Sequence, residues 1–94
     1  MFNLKKFIAF IGIEDKFMQE FYDLAEGEGR EPKFDIYHVL DGAETPNVED
    51  IRIMEEMYST KIRGTRYEQA YETADKDFWK RLKEKNKKRA GKLI

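Results

Sequence analysis

TRYEQAYETADKDFWKRLKEKNKKR, residues 65–89, decides how the rest of the chain is read. Thr65-Arg66-Tyr67-Glu68 fits a capping box, in which the Thr65 hydroxyl accepts from the Glu68 N–H and the Glu68 carboxylate reaches back to the Thr65 N–H. Gly64, just upstream, stops any arriving helix. Tyr67, Ala70, Tyr71, Ala74, Phe78 and Leu82 then recur at steps of three and four, which predicts one apolar helical stripe. Lys76, Lys80, Lys83 and Lys87 fall on the opposite side, and Trp79 stands at the border. Glu72 with Lys76, Asp77 with Arg81 and Glu84 with Lys88 are acid-before-base pairs four apart, each adding about 0.2–0.5 kcal/mol to a helix. The spacing therefore predicts a single rod over 65–89, greasy along one edge and cationic along the other.

Upstream, residues 4–26 read as one helix. Leu4, Phe7, Ile8, Ile11, Met18, Tyr22 and Ala25 share a face, and Phe10, Phe17, Phe21 and Leu24 widen it. A helix so apolar needs cover on more than one side. The same run allows a strand over 6–13, with Asp15 capping a shorter helix. Phe34, Ile36, His38 and Leu40 alternate as a strand would over 33–40, although a short helix also fits. The two β readings stand together, because a lone strand leaves its backbone groups unpaired.

Gly27 to Pro32 is a helix end and loop; Glu28 between its glycines and the lack of a following Lys-Ser/Thr argue against a phosphate-cradling loop. Asp41-Gly42 turns the chain. Thr45-Pro46 offers a helix start, with Asn47 as a rival cap. Val48, Ile51, Met54, Tyr58 and Ile62 form an inward stripe over 46–63. Ile53 and Met57 lie on another side of that helix, as further core or as an exposed contact patch. The expected fold is mainly α, a compact bundle of about three helices over 4–26, 46–63 and 65–89. The alternative is α+β with a two-stranded sheet from 6–13 and 33–40. Residues 1–89 form one helical domain and 90–94 a flexible tail.

Composition excludes several functions. The absence of cysteine removes disulfides, thiolate metal sites and a cysteine nucleophile, and suits a cytoplasmic setting. One serine in these segments, Ser59, has no glycine elbow around it, and the single histidine, His38, has no partner in a motif. Adjacent carboxylates such as Glu14-Asp15 and Glu55-Glu56 point to different sides of their helices. No metal or cofactor motif stands out, so the chain reads as non-enzymatic, with no cofactor. The apolar run at 7–13 is too short for a bilayer span, and Glu14-Asp15 follows it at once. A membrane partner is not expected.

A formal net charge of −1 hides a dipole. Residues 14–56 hold 4 basic and 14 acidic groups, whereas 76–92 hold 9 basic and 2 acidic. That segregation argues against a uniformly basic nucleic-acid binder, but leaves nucleic acid possible through 76–92. The corner at Gly64 is a poor DNA reader, because Arg66, Tyr67, Glu68 and Gln69 would meet the bases and the strong basic charge comes turns later. In composition the chain resembles small phage accessory proteins. The resemblance rests on no motif and implies an accessory or inhibitory role. The sequence thus points to a small module that binds a larger protein or itself, through Ile53, Met57, Trp79, Lys76, Lys80, Lys83 and Lys87.

Overall fold

A computed structural model describes the backbone of residues 2–92 and the side chains of 2–84. Six α-helices make up the described fold: α1 (Leu4–Ile13), α2 (Asp15–Gly27), α3 (Ile36–Leu40), α4 (Val48–Met57), α5 (Tyr67–Glu72) and α6 (Ala74–Lys92), with a π-helical turn over Tyr58–Ile62 after α4. The mainly α expectation holds. The count of about three helices does not, and there is no strand among the described residues, so the sheet from 6–13 and 33–40 is also corrected.

The centre of the molecule is α1. Asn3 caps it by accepting from the Lys6 N–H at 3.1 Å. Phe7, Ile8, Ala9, Phe10 and Ile11 are all buried, five in succession. Such a run covers every side of a helix, so neighbours are required all round. They come from α2, α3, α5 and α6.

The expected helix over 4–26 breaks at Glu14, whose φ and ψ are −103° and 91°. The period continues across the break, which is why spacing alone ran through it. Phe10 and Phe17 meet at 5.1 Å between centroids across that corner. Gly29, at φ +74°, ends α2. Arg30 N–H donates to Ala25 O at 3.0 Å and Gly29 N–H to Glu26 O at 2.9 Å, the double closure of a Schellman turn. That turn delivers Arg30 to Asp50, the one buried charged residue among those described. Glu28 lies 3.9 Å from Arg30 Nε and 2.8 Å from Arg52, so one ionic cluster ties the 28–30 turn to the first turns of α4. Arg30 Nε itself is buried with no hydrogen-bond partner.

Segment 33–40 is extended only as far as Asp35. The Asp35 carboxylate then accepts from Tyr37 N–H at 2.8 Å and His38 N–H at 3.4 Å, starting α3. Val39 and Leu40 are buried, and Phe34 stacks near Phe21 at 6.1 Å. Asn47 wins over Thr45 as the cap of α4, accepting from Glu49 N–H at 2.9 Å, so the helix begins at Val48 and not at 46. Val48 is 80% exposed and leaves the expected inward stripe, whereas Met54, Tyr58 and Ile62 are buried.

The rod over 65–89 is also interrupted. Thr73, at φ −105° and ψ 2°, separates α5 from α6. Its carbonyl accepts from Lys76 N–H and Asp77 N–H, and its hydroxyl donates to Asp77 Oδ2 at 3.0 Å. The contacts explain the break. Tyr67 meets Phe10 and Phe17 near the end of α1, and Tyr71 reaches Asn3 at its start. Phe78 then lies against Gly12, back at the end of α1. A straight helix advances in one direction only and cannot make that return. The capping box fails at the other end: Thr65 Oγ1 donates to Ile62 O and accepts from Tyr67 N–H at 3.2 Å, and α5 starts at Tyr67. Ala70 is exposed, while Tyr71, Ala74 and Phe78 are buried as the stripe required. Two of the expected ion pairs are replaced. Glu72 pairs with Lys6 at 2.9 Å, and Asp77 takes Thr73. The third, Glu84 with Lys88, lies outside the described side chains, as does the expected tail at 90–94.

Tyr71 carries the longest-range clasp. It is fully buried, accepts from Asn3 N–H at 2.6 Å and donates to Asn3 O at 3.1 Å. Its ring packs against Tyr58 at 4.8 Å and Phe10 at 6.3 Å. Burial raises its phenol to about 12. Tyr71→Phe leaves the Asn3 amide without its partner and should destabilise the fold by about 1–3 kcal/mol in denaturant titrations. The unfolded phenol ionises near 10, so ionisation favours the unfolded chain above that pH. Wild-type stability should fall more steeply between about pH 10 and 12 than that of Tyr71→Phe. Tyr67 keeps its own contribution in both proteins. An equal fall in the two would show that Tyr71 is not buried as described.

Asp50→Ala strands Arg30 beside an empty acceptor, and thermal or denaturant melts should show a loss of about 2–4 kcal/mol. A loss within error of zero would remove the ionic cluster from the list of contacts that stabilise the fold.

Candidate interaction surface

The surface that combines exposed aromatics with positive charge lies where α3 meets α6. Ala74 and Phe78, four apart, turn inward toward α1. Gly12 makes room for the Phe78 ring, since a Cβ there would stand 2.9 Å from Phe78 Cε2. Phe78 is thereby seated as the floor between two more exposed rings. Tyr37 stands 5.8 Å from it on the α3 side, and Trp79 lies edge-on at 5.5 Å. Tyr37 is 47% exposed and Trp79 37% exposed. Ile13, Leu82, Arg81 and the acidic Asp15 complete a shallow depression beside Gly12.

Cations and acids both stand near these rings: Asp15 lines the depression with Arg81, and Asp75, Asp77 and Glu84 alternate with the lysines of α6. Lys76, Lys80, Arg81 and Lys83 are exposed. None of them makes an ion pair among the described residues, and the acidic groups of 14–56 are paired elsewhere or left to solvent. The two charge blocks of the sequence do not neutralise one another through these lysines. Lys87 lies outside the described side chains.

The residues expected for contact therefore divide. Trp79 touches Phe78, while Lys76, Lys80 and Lys83 are exposed on the side of α6 beyond Trp79, away from Phe78. Ile53 and Met57 do not join them. They are 2% and 1% exposed and belong to the core between α2 and α4, at the base of a small cleft rimmed by Leu24, Glu28 and Lys61. Tyr37 was missed because 33–40 was read for its alternation, and nothing in the sequence pairs it with Phe78. His38 is exposed, with Nδ1 3.8 Å from Glu44, and Ser59 is exposed on the π-helical turn. Neither stands beside a nucleophile–base arrangement in the described contacts. Among the described residues no helix is long and apolar enough to cross a membrane. The Phe7–Ile11 run is enclosed by the fold and offers no face to a bilayer. The chain matches no protein-family model, no curated protein and no solved structure at a significant level.

Trp79 is the only tryptophan, so its fluorescence reports on this surface alone. Lysines beside it should concentrate anions. Iodide should quench its emission about twofold or more better than caesium at low ionic strength, with the gap closing as salt screens the charge. Equal quenching by the two ions would show that the ring does not sit in a cationic surround.

Proposed function

We propose that this chain is a non-enzymatic protein-interaction module that docks on an acidic protein surface through the α3–α6 face. One observation carries the reading: half-exposed Trp79 and Tyr37 flank Phe78, and the neighbouring Lys76, Lys80, Arg81 and Lys83 have no acidic partner among the described residues. Tyrosine, tryptophan and arginine supply most of the energy at protein interfaces, because large rigid side chains bury much area for little lost entropy. Unpaired cations around them steer an acidic partner in and select against basic ones. Nothing in such an arrangement calls for bond-making chemistry. Such a module would act by occupying a surface on a larger protein, in line with the accessory or inhibitory role that the resemblance to small phage accessory proteins implies.

Affinity capture with the full chain tests this. Two variants alter the face, Tyr37→Ala with Trp79→Ala and Lys80→Glu with Lys83→Glu. A control, Lys5→Gln with Glu55→Gln, alters exposed residues elsewhere. A specific protein partner should be retained by wild type and control and weakened about tenfold or more by either face variant. Retention that ignores the face variants would contradict the proposal. So would loss of all retained material on nuclease treatment, which would assign the lysines to nucleic acid. Sedimentation of the purified chain as an oligomer that the face variants dissolve would make the acidic surface that of a second copy.

A further inference from the structure

Far from the α3–α6 lysines in sequence, two other cations converge on one phenol where the α1–α2 corner meets the start of α5. Lys16 Nζ donates to Tyr67 Oη at 2.7 Å, and Arg66 Nη2 donates to the same oxygen at 2.9 Å. The two charges can be no further apart than those two bonds laid end to end. Like charges so close repel. No carboxylate stands within ion-pair distance of either among the described residues, although Asp15 and Glu68 are their neighbours in sequence.

Stacking offsets part of that repulsion. Lys16 Nζ lies 4.7 Å from the Tyr67 ring centroid and 5.1 Å from that of Phe17, and the Arg66 guanidinium lies 5.0 Å from the Tyr67 ring. Exposed cation–π contacts contribute about 0.5–1 kcal/mol each. They hold the cations in place but leave two positive charges unneutralised. They also leave donors unused. The Tyr67 oxygen accepts from both cations, and its own proton has no acceptor among the described residues. Lys16 and Arg66 each use one N–H on Tyr67, and neither donates to another described group.

We propose that Lys16, Arg66 and Tyr67 form a binding site for a phosphate group, bound as the dianion. A dianion neutralises both cations, whereas a carboxylate leaves one charge over. The Arg66 fork presents two N–H groups to two phosphate oxygens, Lys16 adds a point charge, and the Tyr67 hydroxyl donates to a third oxygen. Phe17 and Tyr67 keep the cations stacked, so the site is preformed and not assembled by the ligand. The site is independent of the α3–α6 face and of the proposal made for it.

The test is a titration of the full chain with inorganic phosphate at fixed ionic strength, balanced with sodium chloride and followed by two-dimensional NMR. The expected result is a saturable shift at Lys16, Arg66 and Tyr67 with millimolar affinity, weakened about fivefold to tenfold by Lys16→Gln or by Arg66→Gln. Tyr67→Phe preserves the ring and removes only the donor, so it should weaken binding less. Lys76→Gln with Lys80→Gln should leave binding unchanged. Affinity should fall as pH is lowered and the phosphate dianion is protonated to the monoanion, while both cations stay charged. Phosphoserine as a second ligand distinguishes sources: binding of both supports a phosphate-ester ligand, and binding of inorganic phosphate alone supports a free ion. The proposal is overturned by non-saturating shifts, by equal binding of acetate, by equal shifts along the α6 lysines, or by unchanged affinity in the Lys16 and Arg66 variants.

Discussion

A helix that is apolar on every side cannot be left at a surface, and α1 is such a helix. Its central residues, Phe7 to Ile11, are all buried, and most of the remaining structure is the set of elements that bury them. Leaving even a few such side chains in water costs about 1.5–3 kcal/mol apiece, comparable with the whole stability of a small domain. The chain therefore accepts breaks that its local preferences do not call for. It breaks at Glu14, and Phe17 of α2 meets Phe10 of α1 across that corner. It breaks again at Thr73 so that Tyr71 of α5 reaches the start of α1 and Phe78 of α6 its end. The buried Tyr71 hydroxyl, bonded to both backbone groups of Asn3, fastens the last third of the chain to the first helix.

Helix identity was legible; helix continuity was not. Apolar spacing marks most of 4–26, 46–63 and 65–89 correctly, because amphipathic period is imposed by burial and survives small bends. Turn chemistry was legible where glycine declares it. Gly29, Gly42 and Gly64 all adopt positive φ, and Asn47 was one of two caps in view for α4. Glu14 and Thr73 carry no such mark. Each break exists only because distant residues must be met, and a one-dimensional period holds no trace of that. Segment 33–40 shows the converse error. Its alternation was real, but the Asp35 carboxylate offers the two N–H groups that begin a helix, and local hydrogen bonding outweighed the alternation. Of the residues expected for contact, Trp79, Lys76, Lys80 and Lys83 are exposed, as their position on the wheel requires. Ile53 and Met57 were ambiguous because a second apolar side on a helix reads equally as deeper core. Tyr37, Lys16 and Tyr67 acquire their meaning from partners 41 and 51 residues away.

Charge segregation is resolved unevenly across the fold. Two of the four cations in the acidic part are used in structure, Arg30 and Arg52, which tie the 28–30 turn to α4; Lys61, beyond that part, holds Glu20. The described cations of α6 are not used in that way. Exposed cations without an ion pair, beside aromatic rings only half covered, are the observation on which the proposed association rests. The core explains the positions of the rings, since Gly12 admits Phe78 and Phe78 in turn supports Tyr37 and Trp79. It supplies no internal reason for the cations that surround them.

Native-state hydrogen exchange tests the centrality of α1 most directly. If the other helices exist to enclose it, the amides of Ile8 to Ile11 should exchange only when the whole molecule unfolds, with a free energy equal to that from denaturant titration. The amides of α3 and of the second half of α6 should open at lower cost. Exchange from α1 through local openings, while α2 or α4 holds its amides to the global limit, would contradict the account.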